Sequence, residues 1–491
     1  MNNEPGANIS VTTTDHALAG RLPVLFRSRV YASYPRLLLT YTAIAAASYS
    51  YLVGAALIGV GNTRVGIVGY LIGLVVGMAF VSLAGGALSY RYGVDTVDAG
   101  KAALGMRGGV TLLVGVLVCT LGWANVLLAM TARGAVRVVH GFDGIQTPVR
   151  ETEVSVIGLL LLGAIWLFVR RGAGSMERVA NCCAAVQLVI AAILFIAVLV
   201  RYGFAKAWSV DVPEAHAYST DGLTQLSYAV EFGICNALGM LPYMGGLSRL
   251  VRNPRHLVGP PVIGYAVCGA FLIAVIGALA TASTGDVDPA DWIPQVVGTR
   301  AGLALFGAML VANVGALVTQ VYLAGISIQQ IRAFARLPWN LVVALVLTPS
   351  IVVAFNSRWV IDHVMNWLAY NGVMFVGLGS VLFVDFFMLR RQRIEIDQLF
   401  AAGRDQLYWF RGGVNWIAVV VIVAATCGYL WLFDPASLQA SALFRYAGAA
   451  VPIIVGSSVA YFLLMKWFIA SRRLNGYREG ERAAVSVPVT L

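Results

Sequence analysis

Apolar residues in this 491-residue chain gather in long unbroken runs rather than in the two-residue alternation of strands. Twelve runs, at roughly 37–61, 65–89, 108–132, 153–169, 179–200, 222–247, 259–283, 301–330, 338–356, 363–388, 414–433 and 446–469, approach or exceed the ~20 residues a helix needs to cross hydrocarbon. They predict an all-α polytopic membrane protein of about twelve transmembrane helices, called spans 1–12 below. One run differs from the rest. Residues 222–258, GLTQLSYAVEFGICNALGMLPYMGGLSRLVRNPRHLV, begin as an ordinary apolar helix, lose regularity at Gly239, Pro242, Gly245 and Gly246, and end in a basic cluster. A helix interrupted there frees backbone N–H and C=O groups that lipid cannot satisfy, so the break must face protein or a watery cavity. Transporter binding sites are built from such breaks. The same span carries Glu231, the only charge predicted deep inside any span, where a carboxylate costs at least ~2.5 kcal/mol unless it is solvated or paired.

Composition sharpens this picture. At 59% hydrophobic and 12% charged, with a mean hydropathy of +0.79, the chain is far too apolar for a soluble domain, in which about a quarter of residues are charged. A net charge of +11 would suggest nucleic acid in a soluble protein. Here 25 of the 34 Lys and Arg fall in loops and tails on one side of the predicted topology, where they set orientation. That asymmetry predicts a multi-pass protein of the cell (inner) membrane with both termini cytoplasmic, and removes the case for a nucleic-acid partner. Residues 1–36 lack an apolar core followed by a small-residue cleavage site, so span 1 is expected to direct insertion itself. All six cysteines fall within predicted spans without a CxxC, which argues against a disulfide framework or a metal site. The five histidines lie in tails, loops or a span end, and HExxH, GxSxG and P-loop patterns are absent. A membrane enzyme is therefore not expected, and no cofactor is implied.

Span 1 carries AAASYSYLVGAALIG, whose Ser48, Ser50 and Gly54 are suited to opening a helix much as Gly239 to Gly246 are in span 6. The likeness predicts two five-span inverted repeats, residues 37–201 and 202–400. Spans 11 and 12 follow at 401–470, with tails at 1–36 and 471–491. In such folds the first helix of each repeat is broken and the site lies between the two breaks at mid-membrane. Span 3 then pairs with span 8, the first supplying Trp123 and Asn125, the second Asn313, Thr319, Gln320 and Tyr322. Asp385, with Arg390 and Arg391 beyond it, predicts an ion pair at the end of span 10.

The stretches YMGGLSR (243–249), VDFFMLRRQRIEIDQLF (384–400), RGGVNWIA (411–418) and SYRYGVDT (89–96) resemble the nucleobase:cation symporter-1 family of purine, cytosine, uracil, allantoin, thiamine and hydantoin permeases. The resemblance covers essentially spans 1–12. It implies the leucine-transporter-like five-plus-five fold and symport of a small flat nitrogenous ring with a cation, by alternating access. Trp123 matches the family's ring-stacking residue. Ala237 stands where some relatives carry a second aromatic wall, and Asn236 beside it offers an amide edge. Leu127 and Val321 occupy positions where a Gln and an Asn read the ligand in hydantoin-transporting members, so Gln320 and Thr319 become the nearest polar readers, with Leu52 a further lining position. The family's sodium site maps onto Ser48 and Tyr51 in span 1 and Ala312, Gly315 and Ala316 in span 8. Both of its hydroxyl ligands are missing from those positions. The expected coupling ion is accordingly a proton rather than sodium, with Glu231 as its carrier and a possible substrate contact. The expected substrate is a nucleobase of cytosine or purine type, with allantoin, hydantoin or a vitamin ring as the alternative. A receptor or channel on the same fold is the remaining rival.

Overall fold

The computed structural model describes residues 34–143, 149–204, 208–210, 217–331, 334, 336–400, 404, 406–470 and 477, apart from the side chains of residues 121, 362, 364–369 and 470. Each predicted run is helical. Span 1 consists of Tyr34–Ala45 and Ser48–Ile58, bent by 63° where the chain passes Ala46 and Ala47. Span 2, Thr63–Tyr92, starts on Asn62, whose side chain accepts the N–H groups of Arg64 (3.0 Å) and Val65 (3.2 Å) left over by the first turn. Spans 3, 4 and 5 are Gly109–Asp143, Glu151–Val169 and Ala173–Tyr202. Span 6 begins as Gly222–Leu238, with Asp221 accepting from Thr224 N–H at 2.9 Å. It breaks at Gly239 and Met240, makes one tight turn at Leu241–Tyr243, and resumes as Met244–Ser248. Pro242 has no N–H to give to a continuing α-helix. Spans 7 to 9 are Pro254–Thr284, Thr299–Gln329 and Trp339–Phe355. Span 10 is Ser357–Asn371 continued by Val373–Leu389, and spans 11 and 12 are Trp416–Leu432 and Ala450–Ala470.

The inverted repeat is visible in the packing. The first half of span 6 lies against span 2, and both halves of span 1 lie against span 7, as expected when spans 6 and 7 repeat spans 1 and 2 in a five-plus-five arrangement. Both are held by close backbone approach. A Cβ on Gly73 of span 2 would sit 2.0 Å from the Val230 carbonyl oxygen, and one on Gly277 of span 7 would sit 2.2 Å from that of Tyr51. Without a hydrophobic drive between helices in lipid, such small-residue contacts are the main source of packing energy.

Three details depart from the sequence reading. Span 1 does not open at Ser48, Ser50 and Gly54. It opens two residues earlier, because Ser50 Oγ ties back to the Ala45 carbonyl (2.6 Å) and Gly54 is used to seat span 7. Span 10 starts at Ser357 rather than near 363, directly after span 9. Two further helices cap the bundle, Thr96–Leu104 between spans 2 and 3 and Pro289–Val297 between spans 7 and 8.

Candidate substrate and ion sites

The break in span 6 is the centre of a polar cluster buried within the helix bundle. Gly239 is glycine for a direct reason: a Cβ there would lie 2.4 Å from Asn371 Nδ2 and 3.5 Å from Trp123 Nε1. Its absence lets span 3 and span 10 reach the break together. Trp123, 7% exposed, has the ring of Tyr49 from span 1 at 4.8 Å with a 45° tilt. Asn371 accepts from Cys119 Sγ at 3.2 Å through its Oδ1, while its Nδ2 has no partner among the described residues. Beneath them the Tyr243 and Thr120 hydroxyls are 2.9 Å apart.

Asn236, one turn before the break, is fully engaged. Its Nδ2 donates to Tyr70 Oη at 2.8 Å, and its Oδ1 accepts from Tyr265 Oη at 2.8 Å, so it ties spans 2, 6 and 7 together. Gln320 lies on a stripe of span 8 with Asn313 and Ser327, spaced by seven residues and so nearly in line along the helix. It is 2% exposed, and its Oε1 has no partner among the described residues. Thr319 is turned into its own helix, where its hydroxyl donates to the Gly315 carbonyl at 2.8 Å. Leu127 and Val321 are buried core residues, and Leu52 is half-buried. Ala237 faces span 2, where a Cβ on Gly77 would meet its methyl at 2.8 Å, so it lines no wall of the centre. The aromatic partner of Trp123 comes instead from span 1, as Tyr49.

The break in span 1 is closed on itself. Its freed Ile44 carbonyl accepts from Tyr49 Oη at 2.6 Å, and the Ala45 carbonyl accepts from Ser50 Oγ at 2.6 Å. The N–H of Ser48, first residue of the second half, donates to Asn313 Oδ1 at 3.0 Å. Asn313 Nδ2 donates in turn to Ser48 Oγ (3.0 Å) and Thr131 Oγ1 (2.9 Å). One carboxamide thus joins spans 1, 3 and 8 with no exposure to solvent. The mapped sodium positions do not converge here. The Tyr51 backbone is turned towards span 7, and its ring packs on Trp292 at 5.7 Å. Gly315 faces span 5, where a Cβ would meet that of Cys183 at 2.5 Å. Ala312 and Ala316 are buried on span 8. The span 1 break, at Ala46 and Ala47, precedes both mapped positions in that span, Ser48 and Tyr51.

Glu231 is not part of the centre. Five residues separate it from Asn236, which on an α-helix is a rotation of ~140°, and its carboxylate points towards spans 11 and 12. There it accepts the N–H groups of Ala449 (2.8 Å) and Ala450 (2.9 and 3.1 Å), at the start of span 12. A helix N-terminus carries the unpaired donors and the partial positive charge that a buried carboxylate needs. The expectation that Glu231 contacts substrate is corrected accordingly.

The basic end of the bundle holds a latch that the sequence reading missed. Asp95 caps the helix Thr96–Leu104 through Val97 N–H (3.2 Å) and accepts from Ser327 Oγ of span 8 at 3.1 Å. Beside it Thr96 Oγ1 accepts the Gly245 N–H at 2.7 Å, holding the second half of span 6. Burial pushes the Asp95 carboxyl up from its ordinary range, opposed by the lowering pull of the buried Arg249 guanidinium. Nearby, Asp385 pairs with Arg390 at 2.6 Å, as expected for the end of span 10.

Residues 49–464 match the model of a family described as permease for cytosine/purines, uracil, thiamine, allantoin. Among solved structures the chain is similar to Mhp1, a nucleobase-cation-symport-1 family transporter, in a closed conformation with bromovinylhydantoin bound. The TM-score is 0.71 at 14% identity, covering 94% of this chain and 97% of that one. The inward-facing conformation of Mhp1 gives the same score and identity over 92% and 94% of the two chains. A substrate-bound outward-open Na+-coupled sialic acid symporter gives 0.57 at 11% identity over 89% and 91%. No curated protein sequence matches the chain.

Proposed function

The chain belongs to the family of permeases for cytosine/purines, uracil, thiamine and allantoin, and from that premise we propose that it imports a nucleobase-type ring across the cell membrane, driven by protons rather than sodium. The family and its structural neighbours make it a multi-pass, cation-coupled symporter working by alternating access, and not an enzyme. The observation that carries the substrate reading is the set of groups gathered around Gly239. The indole of Trp123 offers a stacking face, worth ~0.5 to 1.5 kcal/mol to an aromatic ring beyond simple burial, and Tyr49 is the second wall. Asn371 Nδ2 is an unmet donor, and Gln320 Oε1 is an unmet acceptor on the stripe of span 8 that includes Asn313. These are one unmet donor and, on span 8, one unmet acceptor, the kinds of group that the acceptors and donors of cytosine and purines would meet.

The coupling reading rests on the span 1 break. Sodium is held by hard oxygen ligands, and two carbonyls at this break, those of Ile44 and Ala45, already accept the hydroxyls of Tyr49 and Ser50, which reduces what the break offers a cation. Asn313 contributes two donor hydrogens that a cation would repel. Four carboxylates are buried among the described residues: Asp95, Asp98, Glu231 and Asp385. Asp98 is held by Lys101, Asp385 by Arg390 and Glu231 by the start of span 12. Asp95 alone of the four lies between span 8 and the second half of span 6, the elements whose separation would open the basic end. It is our choice for the proton carrier, with that end facing the cytoplasm along with both termini.

Uptake of labelled cytosine, adenine and uracil into vesicles tests the reading. Saturable accumulation should follow an imposed inward proton gradient and persist when choline replaces sodium at fixed pH. Loss of uptake in choline would sink the proton assignment. Asp95→Asn should exchange substrate yet fail to concentrate it. Should that variant concentrate substrate like the unaltered protein, Asp95 does not couple.

A further inference from the structure

A separate cavity lies away from the central cluster, at the end of the bundle that carries the basic loops. It measures about 370 Å³ and opens between the helix Thr96–Leu104, the first turn of span 3, the residues just past span 8, and Leu399, Phe400, Arg404, Gln406 and Trp409. Its walls are mostly apolar, yet three cations line it: Lys101, Arg107 and Arg404. Lys101 is paired with Asp98 and lies 5.9 Å from the Phe400 ring centre. Arg107 and Arg404 are exposed, and the Arg107 guanidinium sits 5.2 Å over the ring of Trp409. Gln330, 3% exposed, gives its Nε2 to the Ile326 carbonyl at 3.1 Å. Its Oε1 has no partner among the described residues.

At the mouth, the lining changes character. Val110 of span 3 is half exposed, and Val114, one turn further into the membrane, is equally so. These two begin an apolar strip on the face that span 3 turns to lipid. The cavity therefore joins a cationic, hydrogen-bonding pocket to a surface wetted by acyl chains. A tryptophan beside basic side chains is the usual dress of a headgroup-level position, and basic pockets between helix ends on one leaflet suit anionic headgroups.

We infer that this cavity is a binding site for an anionic glycerophospholipid whose headgroup carries hydroxyls, of the phosphatidylglycerol type. The phosphodiester lies between Arg107 and Arg404, because Lys101 is already neutralised by Asp98. A headgroup hydroxyl donates to Gln330 Oε1, which otherwise stays buried and unmet at a cost. One acyl chain runs along Val110 and Val114. A soluble phosphate ester satisfies the first two contacts and leaves the third unused, which is why the lipid is favoured. The bound lipid bridges the start of span 3 to the end of span 8.

The test uses the full-length purified protein in detergent, read by lipid retention in native mass spectrometry and by thermal unfolding. Phosphatidylglycerol should be retained and should raise the melting temperature. Phosphatidylcholine and glycerol 3-phosphate should do neither. Arg107→Ala and Arg404→Ala should each weaken phosphatidylglycerol binding about fivefold, the equivalent of roughly 1 kcal/mol per surface charge. Gln330→Leu should weaken phosphatidylglycerol while leaving phosphatidic acid, which lacks the hydroxyls, unchanged. Equal retention of phosphatidylglycerol and phosphatidylcholine would overturn the assignment, as would unaltered binding in the double arginine variant. An equal shift with glycerol 3-phosphate would turn the cavity into a soluble phosphoester site. Binding of a nucleobase should be the same in all these variants, so the outcome is independent of the substrate reading.

Discussion

The two broken helices look alike in sequence and differ in what fills the break. In span 1 the groups at the break find protein partners: the carbonyls of Ile44 and Ala45 are met by hydroxyls of the same span, and the Ser48 N–H by Asn313. In span 6 the chain supplies a glycine, and the groups that crowd round it include a donor with nothing to bind among the described residues, Asn371 Nδ2. A break that is satisfied internally acts as a joint. A break ringed by unmet polar groups acts as a receptor, because a buried unpartnered donor or acceptor carries a penalty that a ligand can remove.

The largest expected effect is at the joint. Asn313→Ala leaves the Ser48 N–H and the Thr131 hydroxyl without their partner in a buried setting, a loss of roughly 2 to 6 kcal/mol at ~1–3 kcal/mol for each orphaned group. Thermal unfolding should drop markedly and transport with it. An unchanged melting temperature would mean that the carboxamide is not what closes the break.

At the receptor, Trp123→Ala should weaken binding of an aromatic ring by at least ~1 kcal/mol, while Trp123→Phe keeps most of it. Tyr49→Ala should behave likewise for binding and also release the Ile44 carbonyl. Full affinity in a well-folded Trp123→Ala protein would remove the stacking role.

Smaller and more discriminating is the contrast between met and unmet amides. Gln320→Leu should reduce ligand affinity by ~0.5 to 1.5 kcal/mol, the net worth of one hydrogen bond, and leave the melting temperature of the empty protein unchanged or higher. Asn236→Ala should do the reverse in emphasis, lowering the melting temperature because Tyr70 and Tyr265 lose their partner. Paired measurements of melting and binding on both variants check the distinction. If both variants moved the same quantity, the two amides would share one role.

The smallest effect is expected at Glu231. Glu231→Gln keeps an acceptor for the start of span 12 and lies outside the centre, so pH-driven accumulation should match that of the unaltered protein, with a modest fall in melting temperature. Loss of accumulation with normal exchange would restore this carboxylate as the coupling group.

Much of the fold was legible because hydropathy acts over twenty residues at a time: every span is where the apolar runs lie, and Gly239 and Pro242 mark the span 6 break outright. Trp123, named through its match to a family position, does lie beside the span 6 break. Asn371 was not legible, since an Asn-Gly pair inside an apolar run reads as a weak point in span 10, and nothing local says that it meets Gly239 from a helix 132 residues away. Tyr49 could be named from the sequence only as one of several aromatic residues able to line a cavity, with packing or anchoring the commoner role for such residues, 20 of them tyrosines in this chain. Glu231 was misread because the rarity of a buried charge signals that it has a partner without saying which. Its partner proved to be backbone, and backbone N–H groups leave no trace in a sequence. Asp95 fell just outside a span, where an acidic residue draws no notice.

The carboxylate of Glu231 and the N–H groups it holds are 218 residues apart. At a synthesis rate of ~5–20 residues per second, its span is made roughly 10–40 s before its partner exists. For that interval the nascent chain carries an uncapped acid in or beside the bilayer, free to take up a proton or to keep its helix loosely inserted. Arrival of span 12 ends the wait and buries the acid. A chain without span 12 would lack the N–H groups of Ala449 and Ala450 that meet the Glu231 carboxylate.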